Sequence, residues 1–257
     1  MKSPVSAAAR QAAIQPAVVT VGDELIFGEH QNQNQRWLLQ LLWEKGHPAR
    51  VAITLPDAME IIAFWLRQFL QAQYYPVLVS GGIGGTHDDC TREAVARALD
   101  LPLVRSEECF NILAAKYEER FSSGRQRMAL LPAGCELIAN PIGAPGFAIQ
   151  GIWAFPGFPV MLQPMVLHVL EGIFSGPPAT PWCIREVTLP VSEGDIAWVI
   201  ESFADKHRQA RIGIYPHARK FRQEVTVRLR CPVEAGEIIS AFNNLMLELK
   251  RKYDISP

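Results

Sequence analysis

The sequence predicts an α/β protein whose mostly parallel sheet lies between two layers of helices, followed by a small α+β domain. From residue 17 onward, short β-rich runs alternate with longer helical stretches, as in a parallel sheet covered by helices on both faces. The segment SGPPATP at 175–181 interrupts this pattern with three prolines, which neither a helix nor a central strand accepts. The predicted organisation is a flexible tail at 1–16, a large domain at 17–178, a linker at 179–181 and a small domain at 182–257.

The elements of the large domain follow from their apolar patterns. AVVTVG and PVLVSGG are continuous apolar runs that end in glycine, as buried strands do. The helices instead repeat apolar residues every three or four positions, as Ile61, Trp65 and Phe69 do. The predicted order is strand 17–22, helix 33–45, strand 49–55, helix 58–72, strand 76–82, helix 90–99, helix 106–121 and helix 164–174. The Gly- and Pro-rich region 132–159 has no clear period, so it is either a functional loop system or a set of strands.

The carboxy-terminal domain is predicted to have the order β-α-β-β-α. Its elements are strand 184–191, helix 193–206, strand 211–216, strand 223–230 and helix 234–252. Basic residues crowd its strands: Arg208, Arg211, Arg219, Lys220, Arg222, Arg228 and Arg230. With Tyr215 and Phe221 they could favour RNA, but no G-x-x-G clamp or ribonucleoprotein motif is present. A solvated sheet face is therefore the favoured interpretation, and nucleic acid is not expected as a partner.

Charge and composition exclude several classes of protein. Lys+Arg 25 against Asp+Glu 26 gives a formal net charge of −1, too little to attract nucleic acid or an anionic membrane over long range. No apolar run approaches the roughly 18 to 20 residues that span a bilayer, so a soluble protein without membrane contacts is expected. Five widely spread cysteines without a C-x-x-C motif argue against a disulfide framework and a zinc site. A cytoplasmic location is expected.

The segment 80–91 is the richest in residues suited to chemistry. After a buried strand, Gly81, Gly82, Gly84 and Gly85 allow backbone N–H groups to converge on an anion, and the following helix adds the positive end of its dipole. No Gly-Lys-Ser/Thr closes the segment, so it is not a Walker loop. The alternative is an ordinary glycine turn in which Asp88 or Asp89 caps the helix.

A second group of polar residues follows the first strand. Asp23 and Glu24 come directly after Gly22, and Asn32 and Asn34 lie close behind. In an open parallel sheet, ligands gather at the carboxyl ends of the strands, so this segment can face the same crevice as the glycine segment. Asp23 and Glu24 are then candidate ligands for hydroxyl groups or a metal, unless Asp23 simply caps a short turn.

These motifs together resemble the molybdopterin-binding domain family, which includes MoaB, MogA and the amino-terminal part of CinA. The matching segments are GDELIFG at 22–28 with Asn34 and Trp37, GGIGGTHDDCTREAVA at 81–96, NPIGAPGF at 140–147 and FPGFP at 155–159. They occur in the family's order, and the CinA-like branch is the most similar. The resemblance implies a three-layer MogA-like fold that binds a phosphorylated pterin or a nucleotide. It also allows hydrolysis of ADP-ribose or FAD at the pyrophosphate with a divalent metal.

The resemblance assigns roles residue by residue. The phosphate would be held by Gly81, Gly82, Gly84, Gly85 and Thr86, together with Arg127. Asp23 and Asp89 would hold pterin, ribose or a metal (Mg, Mn or Co), and with Asp88 they are the candidate catalytic residues. A second wall would comprise Asn140, Gly143, Pro145 and Gly146. Further candidate ligand-binding residues in the matching segments are Glu24, Asn34, Thr91, Pro156 and Gly157.

The chain also departs from the family pattern. Asn32 stands where the family has the acid of its D-x-N, Arg127 where it has a lysine, and Met161 where it has a glutamate. The family's G-P-T is Gly84-Gly85-Thr86. Two lost carboxylates weaken metal-assisted hydrolysis more than simple binding. We therefore expect a homo-oligomeric protein that binds a small phosphorylated ligand. The first alternative is a metal-dependent pyrophosphatase, and the second is a non-catalytic oligomerising or RNA-contacting module.

Overall fold

The computed structural model describes residues 14–174, 182–219 and 222–255. By its contacts the chain divides into two compact units, Met1–Pro177 and Pro178–Pro257. The predicted linker at 179–181 and residues 1–13 of the predicted tail lie outside the described residues. Gln15 and Pro16, which the sequence analysis also assigned to the tail, are not a tail: Gln15 pairs with Tyr75, and the Pro16 carbonyl accepts the Arg50 N–H at 2.8 Å.

The amino-terminal unit contains a six-stranded sheet and a separate strand pair. The strands are β1 Ala17–Val21, β2 Val51–Leu55, β3 Val77–Ser80, β4 Leu103–Arg105, β5 Leu130–Pro132, β6 Glu136–Ile138, β7 Gly146–Ile149 and β8 Ile152–Phe155. The sheet has the order β2-β1-β3-β8-β7-β6, and β4 pairs with β5. Strands β2, β1, β3 and β8 are parallel to one another. Strand β7 runs antiparallel to β8, and β6 runs antiparallel to β7. The predicted mostly parallel α/β sheet is confirmed.

Helices cover both faces of this sheet. They are α1 Asp23–Ile26, α2 Gln33–Glu44, α3 Met59–Gln71, α4 Thr91–Ala98, α5 Glu107–Tyr117, α6 Ser123–Arg127 and α7 Pro159–Ile173. Successive residues of a strand point to opposite faces. Val19 packs in a core with Ile62 of α3 and Ala94 of α4, while Val18 packs on the other face with Leu38 and Leu162 of α2 and α7. Both faces of the central strands are therefore buried, which explains why they read as unbroken apolar runs.

The Gly- and Pro-rich region 132–159, in which the sequence shows no clear period, contains short strands. Strands β6, β7 and β8 have only three or four residues each, so no period can be recognised in them. Helix α7 begins at Pro159 rather than at 164, and Pro164 lies inside it. The helix predicted at 106–121 ends at Tyr117, because Glu118 has a φ of 47° and cannot continue it.

The carboxy-terminal unit has the predicted order of elements. They are β9 Trp182–Leu189, α8 Glu193–Lys206, β10 Arg211–Arg219, β11 Arg222–Pro232 and α9 Gly236–Lys252. The three strands form an antiparallel sheet in the order β10-β11-β9. Val227 and Leu229 of β11 pack in one core with Ile196 of α8 and Phe242 of α9. No helix in the described parts of the two units is long and apolar enough to cross a bilayer.

Candidate functional site

A crevice opens where β1 and β3 end. It encloses a cavity of about 270 Å³, bordered by α1, by the first turn of α2 and by the start of α7. Its polar lining consists of Thr20, Glu24, His30, Gln31, Asn32, Gln33, Asn34 and Ser80. Parallel strands deliver their carboxyl ends to one edge, which is where open α/β sheets bind ligands. This cavity is therefore the candidate binding site.

Glu24 supplies a carboxylate to this cavity. Helix α1 begins directly after β1, and the Glu24 side chain folds back over Gly22. A Cβ at position 22 would lie 2.5 Å from Glu24 Oε1, so a side chain there would displace the carboxylate from this position. Glu24, which the sequence analysis proposed as a ligand-binding residue, thus lines the cavity, and Gly22 leaves space for its carboxylate.

Asn34 joins three segments of the chain around the cavity. Its Nδ2 donates to the Ser80 hydroxyl at the end of β3 (3.0 Å) and to the Gly157 carbonyl in the β8–α7 loop (2.6 Å). Its Oδ1 is buried and has no hydrogen-bond partner among the described residues. A buried acceptor without a partner costs free energy, on the order of 1–3 kcal/mol. Asn34 therefore fixes the crevice walls and retains one unused acceptor.

Asn32 caps helix α2 beneath the cavity. Its Oδ1 accepts the Gln35 N–H at 3.0 Å, and its Nδ2 donates to the Thr20 and Thr54 hydroxyls at 2.6 and 3.0 Å. The Thr20 hydroxyl donates to the Ile53 carbonyl. An asparagine has the two donors that this arrangement uses, and an aspartate has none. The departure from the family's acid is thus accommodated by hydroxyl groups on β1 and β2.

The glycine segment 80–91 is occupied by one of its own side chains. The Asp89 carboxylate accepts the N–H groups of Gly84 and Thr86, both at 2.8 Å, as well as the Thr86 hydroxyl. Backbone N–H groups therefore converge on an anion, as the sequence analysis expects, but the anion is Asp89. The cavity is lined by Ser80 and by none of the four glycines that follow it.

Close backbone packing accounts for three of these glycines. Gly81 and Gly82 have φ values of 106° and 68°, and a Cβ on either would collide with the Val21 carbonyl or the Thr91 hydroxyl. A Cβ on Gly85 would collide with the Gly124 carbonyl. Thr91 holds the segment from the other side, because its hydroxyl donates to the Gly81 carbonyl at 2.8 Å and its N–H to the Gly82 carbonyl at 2.9 Å. The pattern of glycines thus specifies the shape of the loop.

A buried arginine, which the sequence analysis did not single out, lies behind this loop. Arg92 of α4 is only 2% exposed. Its guanidinium donates to the Arg127 carbonyl and, at 3.5 Å, to the Asp89 carbonyl, while its Nε has no partner among the described residues. Burial lowers the pKa of Arg92. Arg127 itself contributes its carbonyl here, and its side chain is exposed rather than part of the cavity.

An acidic pair lies at the edge of the crevice. The Asp57 N–H donates to the Asp23 carboxylate at 3.2 Å, and the Asp23 N–H donates to the Asp57 carboxylate at 2.9 Å. Burial raises the pKa of Asp57, and the negative charges of Asp23, Glu24 and Asp88 raise it further. Asp57 was missed by the sequence analysis, although its place directly after β2, at the same edge of the sheet, was a usable signal. No three His, Cys, Asp or Glu side chains are grouped closely enough to hold a metal in the described chain.

The second wall expected from NPIGAPGF does not line the cavity. Asn140 donates to the Ala144 carbonyl and accepts the Ile142 N–H, so it closes its own loop. A Cβ on Gly143 would lie 2.7 Å from Met161 Sδ, and one on Gly146 would collide with the Ala154 carbonyl. Pro145 and Pro156 are buried. Of the predicted ligand-binding residues, the structure brings three together in the cavity: Glu24, Asn34 and Gly157.

The basic residues of the carboxy-terminal sheet are partly neutralised. Arg228 and Arg230 lie over the Tyr215 ring, 4.8 and 6.0 Å from its centre, and Arg228 also pairs with Glu186. Arg230 donates a hydrogen bond to the Tyr215 hydroxyl, and this bond lowers the pKa of Tyr215. Lys220 and Phe221 lie outside the described residues. This face is consistent with the solvated exterior that the sequence favours.

Comparison with known proteins identifies the family. A family model described as "Probable molybdopterin binding domain" matches residues 17–175. A CinA-like protein of Citrifermentans bemidjiense is 36% identical over 200 residues, which are 72% of this chain and 47% of that protein. A protein of Pyrobaculum calidifontis is 30% identical over 257 residues, covering 92% of this chain and 96% of its own.

Solved structures agree with this match. The crystal structure of the CinA protein of Thermoplasma acidophilum, described as having unknown function, superposes with a TM-score of 0.59 at 29% identity. The superposition covers 63% of this chain and 98% of the Thermoplasma chain. Our chain spans less than half of the Citrifermentans CinA-like protein. Residues 17–175 carry both the family match and the crevice, and the chain therefore belongs to the molybdopterin-binding domain family, as a MoaB/MogA-like domain of the CinA type.

Proposed function

We propose that the crevice binds a phosphorylated pterin, with an adenine nucleotide as the alternative ligand of the same site. The observation that carries the proposal is the cavity of about 270 Å³ at the ends of β1 and β3, with Glu24, Asn34 and Ser80 in its lining. The family's description as molybdopterin-binding supports the choice of pterin.

The lining matches the polar edge of a pterin. A pterin presents adjacent N–H groups and ring acceptors along one edge, and a carboxylate is the strongest side-chain acceptor for such N–H groups. Glu24 supplies this carboxylate, and Asn34, whose buried Oδ1 has no partner among the described residues, lies in the same lining. Ser80 can donate to or accept from the ring.

The size of the cavity limits what it can enclose. Pockets that enclose drug-sized ligands have volumes of about 300–1,000 Å³. At about 270 Å³, this cavity has room for one fused ring system. A dinucleotide such as FAD would have to lie largely outside it.

The phosphate has a place at the helix termini beside the cavity. Both α2 and α7 begin at the cavity rim, and the positive end of a helix dipole attracts an anion. Asp23, Asp57 and Glu24 lie nearby and would repel a phosphate unless a cation accompanies it. We therefore expect Mg²⁺ to strengthen the binding.

The reciprocally bonded Asp23 and Asp57 also favour the alternative function, a metal-dependent pyrophosphatase acting on ADP-ribose or FAD. Asp23 and Asp57 would supply two carboxylates to Mg²⁺, Mn²⁺ or Co²⁺, and pyrophosphate oxygens and water would complete its coordination. When bound, the cation would supply the Lewis acidity that activates water for attack on the pyrophosphate. Asp89 is excluded from this role in the proposal, because its carboxylate holds the loop.

Isothermal titration calorimetry tests the binding proposal. Molybdopterin, kept under anaerobic conditions, and ADP are titrated into the full chain with and without Mg²⁺. We expect binding that Glu24→Gln weakens about tenfold or more, because a charge-assisted hydrogen bond is worth about 1.5–3 kcal/mol. Glu29→Gln, a neighbouring residue that does not line the cavity, is the matched control. Equal affinities for both variants would contradict the site.

Incubation with ADP-ribose or FAD tests the alternative. The full chain is mixed with each substrate and Mg²⁺, Mn²⁺ or Co²⁺ in turn, and AMP is measured by chromatography. AMP release that Asp57→Asn abolishes would establish the pyrophosphatase. If no metal yields AMP while the pterin binds, the protein binds its ligand without this hydrolysis.

A further inference from the structure

Two cysteine thiols face each other across strands of the carboxy-terminal unit. Cys183 of β9 and Cys231 of β11 are directly opposed in the antiparallel register. Their Sγ atoms are 3.5 Å apart, and both are free thiols. Directly opposed residues of antiparallel strands have Cα separations of about 4.5–5.5 Å, within the range that a disulfide bridges. A bond between them therefore requires rotation of two side chains and no rearrangement of the backbone.

The two thiols differ in their environments. Cys231 lies on the central strand of the sheet and is fully buried in the core of the unit. Cys183 is half-buried and lies near the start of β9, an edge strand of the sheet that the described residues form. An edge strand is paired on one side only and opens more readily than a central one. An oxidant therefore reaches Cys183 first.

We propose that Cys183 and Cys231 form a modification site that a peroxide converts reversibly from two thiols to one disulfide. The Cys183 thiolate attacks one peroxide oxygen, the O–O bond breaks, and Cys183 becomes a sulfenic acid with release of hydroxide. The Cys231 sulfur then displaces the sulfenic hydroxyl, which leaves as water, and the S–S bond forms. In total, two thiols and one H₂O₂ give one disulfide and two molecules of water. A dithiol reductant reverses the reaction by exchange.

The surroundings make the reaction selective, because they disfavour direct oxidation of Cys231 and place Cys231 beside the oxidised Cys183. Burial raises the pKa of Cys231 to about 11, so little thiolate exists near neutral pH, although the positive charge of Arg185 partly offsets this effect. The Cys183 sulfenic acid nevertheless has its partner within contact distance. Condensation with Cys231 therefore competes well against further oxidation of Cys183 by peroxide.

The disulfide would tie the first strand of the unit to its last. Residues 183 and 231 enclose most of the unit, and closing a loop of this length restricts the unfolded chain strongly. For a domain of this size we expect a rise in unfolding temperature of about 5 °C or more. The proposal does not depend on the proposed ligand site, which lies in the amino-terminal unit.

Peptide mapping of the full chain tests the proposal. The protein is treated with H₂O₂, its remaining thiols are alkylated, and it is digested without reductant for mass spectrometry. We expect a peptide that links Cys183 to Cys231, is lost after dithiothreitol treatment and is accompanied by the rise in unfolding temperature. Cys183→Ser should abolish both changes. Cys135→Ser, which removes a half-buried cysteine of the amino-terminal unit, should retain both.

Other results would overturn the proposal. Alkylation of both cysteines as free thiols after peroxide treatment would do so, as would their recovery as separate sulfinic acids. A linked peptide that joins only other cysteines, such as Cys109 and Cys135, would also contradict it. Because the map reads each cysteine separately, the test does not rely on the stability of Cys231 variants.

Discussion

The carboxylate of Asp89 accepts the main-chain N–H of Gly84 at 2.8 Å, and this bond determines how the glycine segment can act. Converging backbone N–H groups attract anions, and here the protein's own side chain is the anion. The segment is therefore a closed loop beside the crevice. A ligand in the crevice would meet Ser80, which precedes the loop and lines the cavity, rather than the loop amides.

Removing the Asp89 carboxylate should loosen this loop. Asp89→Ala leaves the N–H groups of Gly84 and Thr86 without their acceptor, and we expect a loss of about 1–3 kcal/mol in unfolding free energy. Asp88→Ala should cost less than Asp89→Ala, because the Asp88 side chain is exposed, although a hydrogen bond with Thr86 lowers the pKa of its carboxyl. Chemical denaturation gives both values, and hydrogen–deuterium exchange of the peptide spanning 81–90 should accelerate only in Asp89→Ala. Equal effects of the two variants would show that Asp89 does not hold the loop.

Gly82 should tolerate alanine less well than another glycine with the same backbone conformation. Gly82 and Gly134 have φ values of 68° and 80°, so both substitutions carry the strain of a positive φ, about 1–2 kcal/mol. At Gly82 the new Cβ also collides with the Thr91 hydroxyl, whereas at Gly134 no atom of the described residues lies within 4 Å of it. We expect Gly82→Ala to cost at least about 1 kcal/mol more than Gly134→Ala. Thermal unfolding of the two variants measures the difference, and equal losses would contradict the close packing.

The sequence predicts the parts of the fold that depend on local pattern. Strands β1 and β3 are recognisable because both their faces are buried, which gives an unbroken apolar run. Strands β6 to β8 have three or four residues and their antiparallel pairing is set by their neighbours, so no local signal exists. The start of α7 was missed because Pro164 suggests a first turn, whereas Pro159 occupies it.

The site was predictable only for motif residues that directly follow a strand of the sheet. Glu24 lies in the crevice because it follows a strand, and sequence reasoning can use that rule. The Asn34–Gly157 bond joins residues 123 positions apart, and nothing in the local sequence indicates it. Arg92 was overlooked because an arginine in a helix is normally exposed. Its burial follows from the turn at Arg127 that covers it.

Arg92 should be essential for stability, unlike the other arginine of its helix. Arg92→Ala removes the donors to the Arg127 and Asp89 carbonyls and leaves a cavity, so we expect a loss of about 2–4 kcal/mol. Arg97 is exposed and pairs with Glu60 at 2.8 Å. Arg97→Ala should cost less than about 1 kcal/mol, as is usual for surface ion pairs. Chemical denaturation gives the unfolding free energies of the two variants. A small loss in Arg92→Ala would show that the burial of Arg92 is not maintained in solution.

Asp57 should make the amino-terminal unit less stable as the pH rises through the acidic range. Because burial and the charges of Asp23, Glu24 and Asp88 raise its pKa, the folded protein binds a proton there more tightly than the unfolded chain does. Between the ordinary pKa of 3.8 and the raised value, the folded state holds more protons, so unfolding free energy falls with increasing pH. Asp57→Asn keeps an acceptor for the Asp23 N–H and cannot ionise. Chemical denaturation can be measured from about pH 3.5 to about pH 7 in steps of about half a unit. We expect the unfolding free energy of the variant to decline less with pH and to be higher than that of the natural chain near neutral pH. Asp100→Asn, at a position 88% exposed, should retain the decline of the natural chain, and an unchanged profile in Asp57→Asn would contradict the role given to this carboxylate.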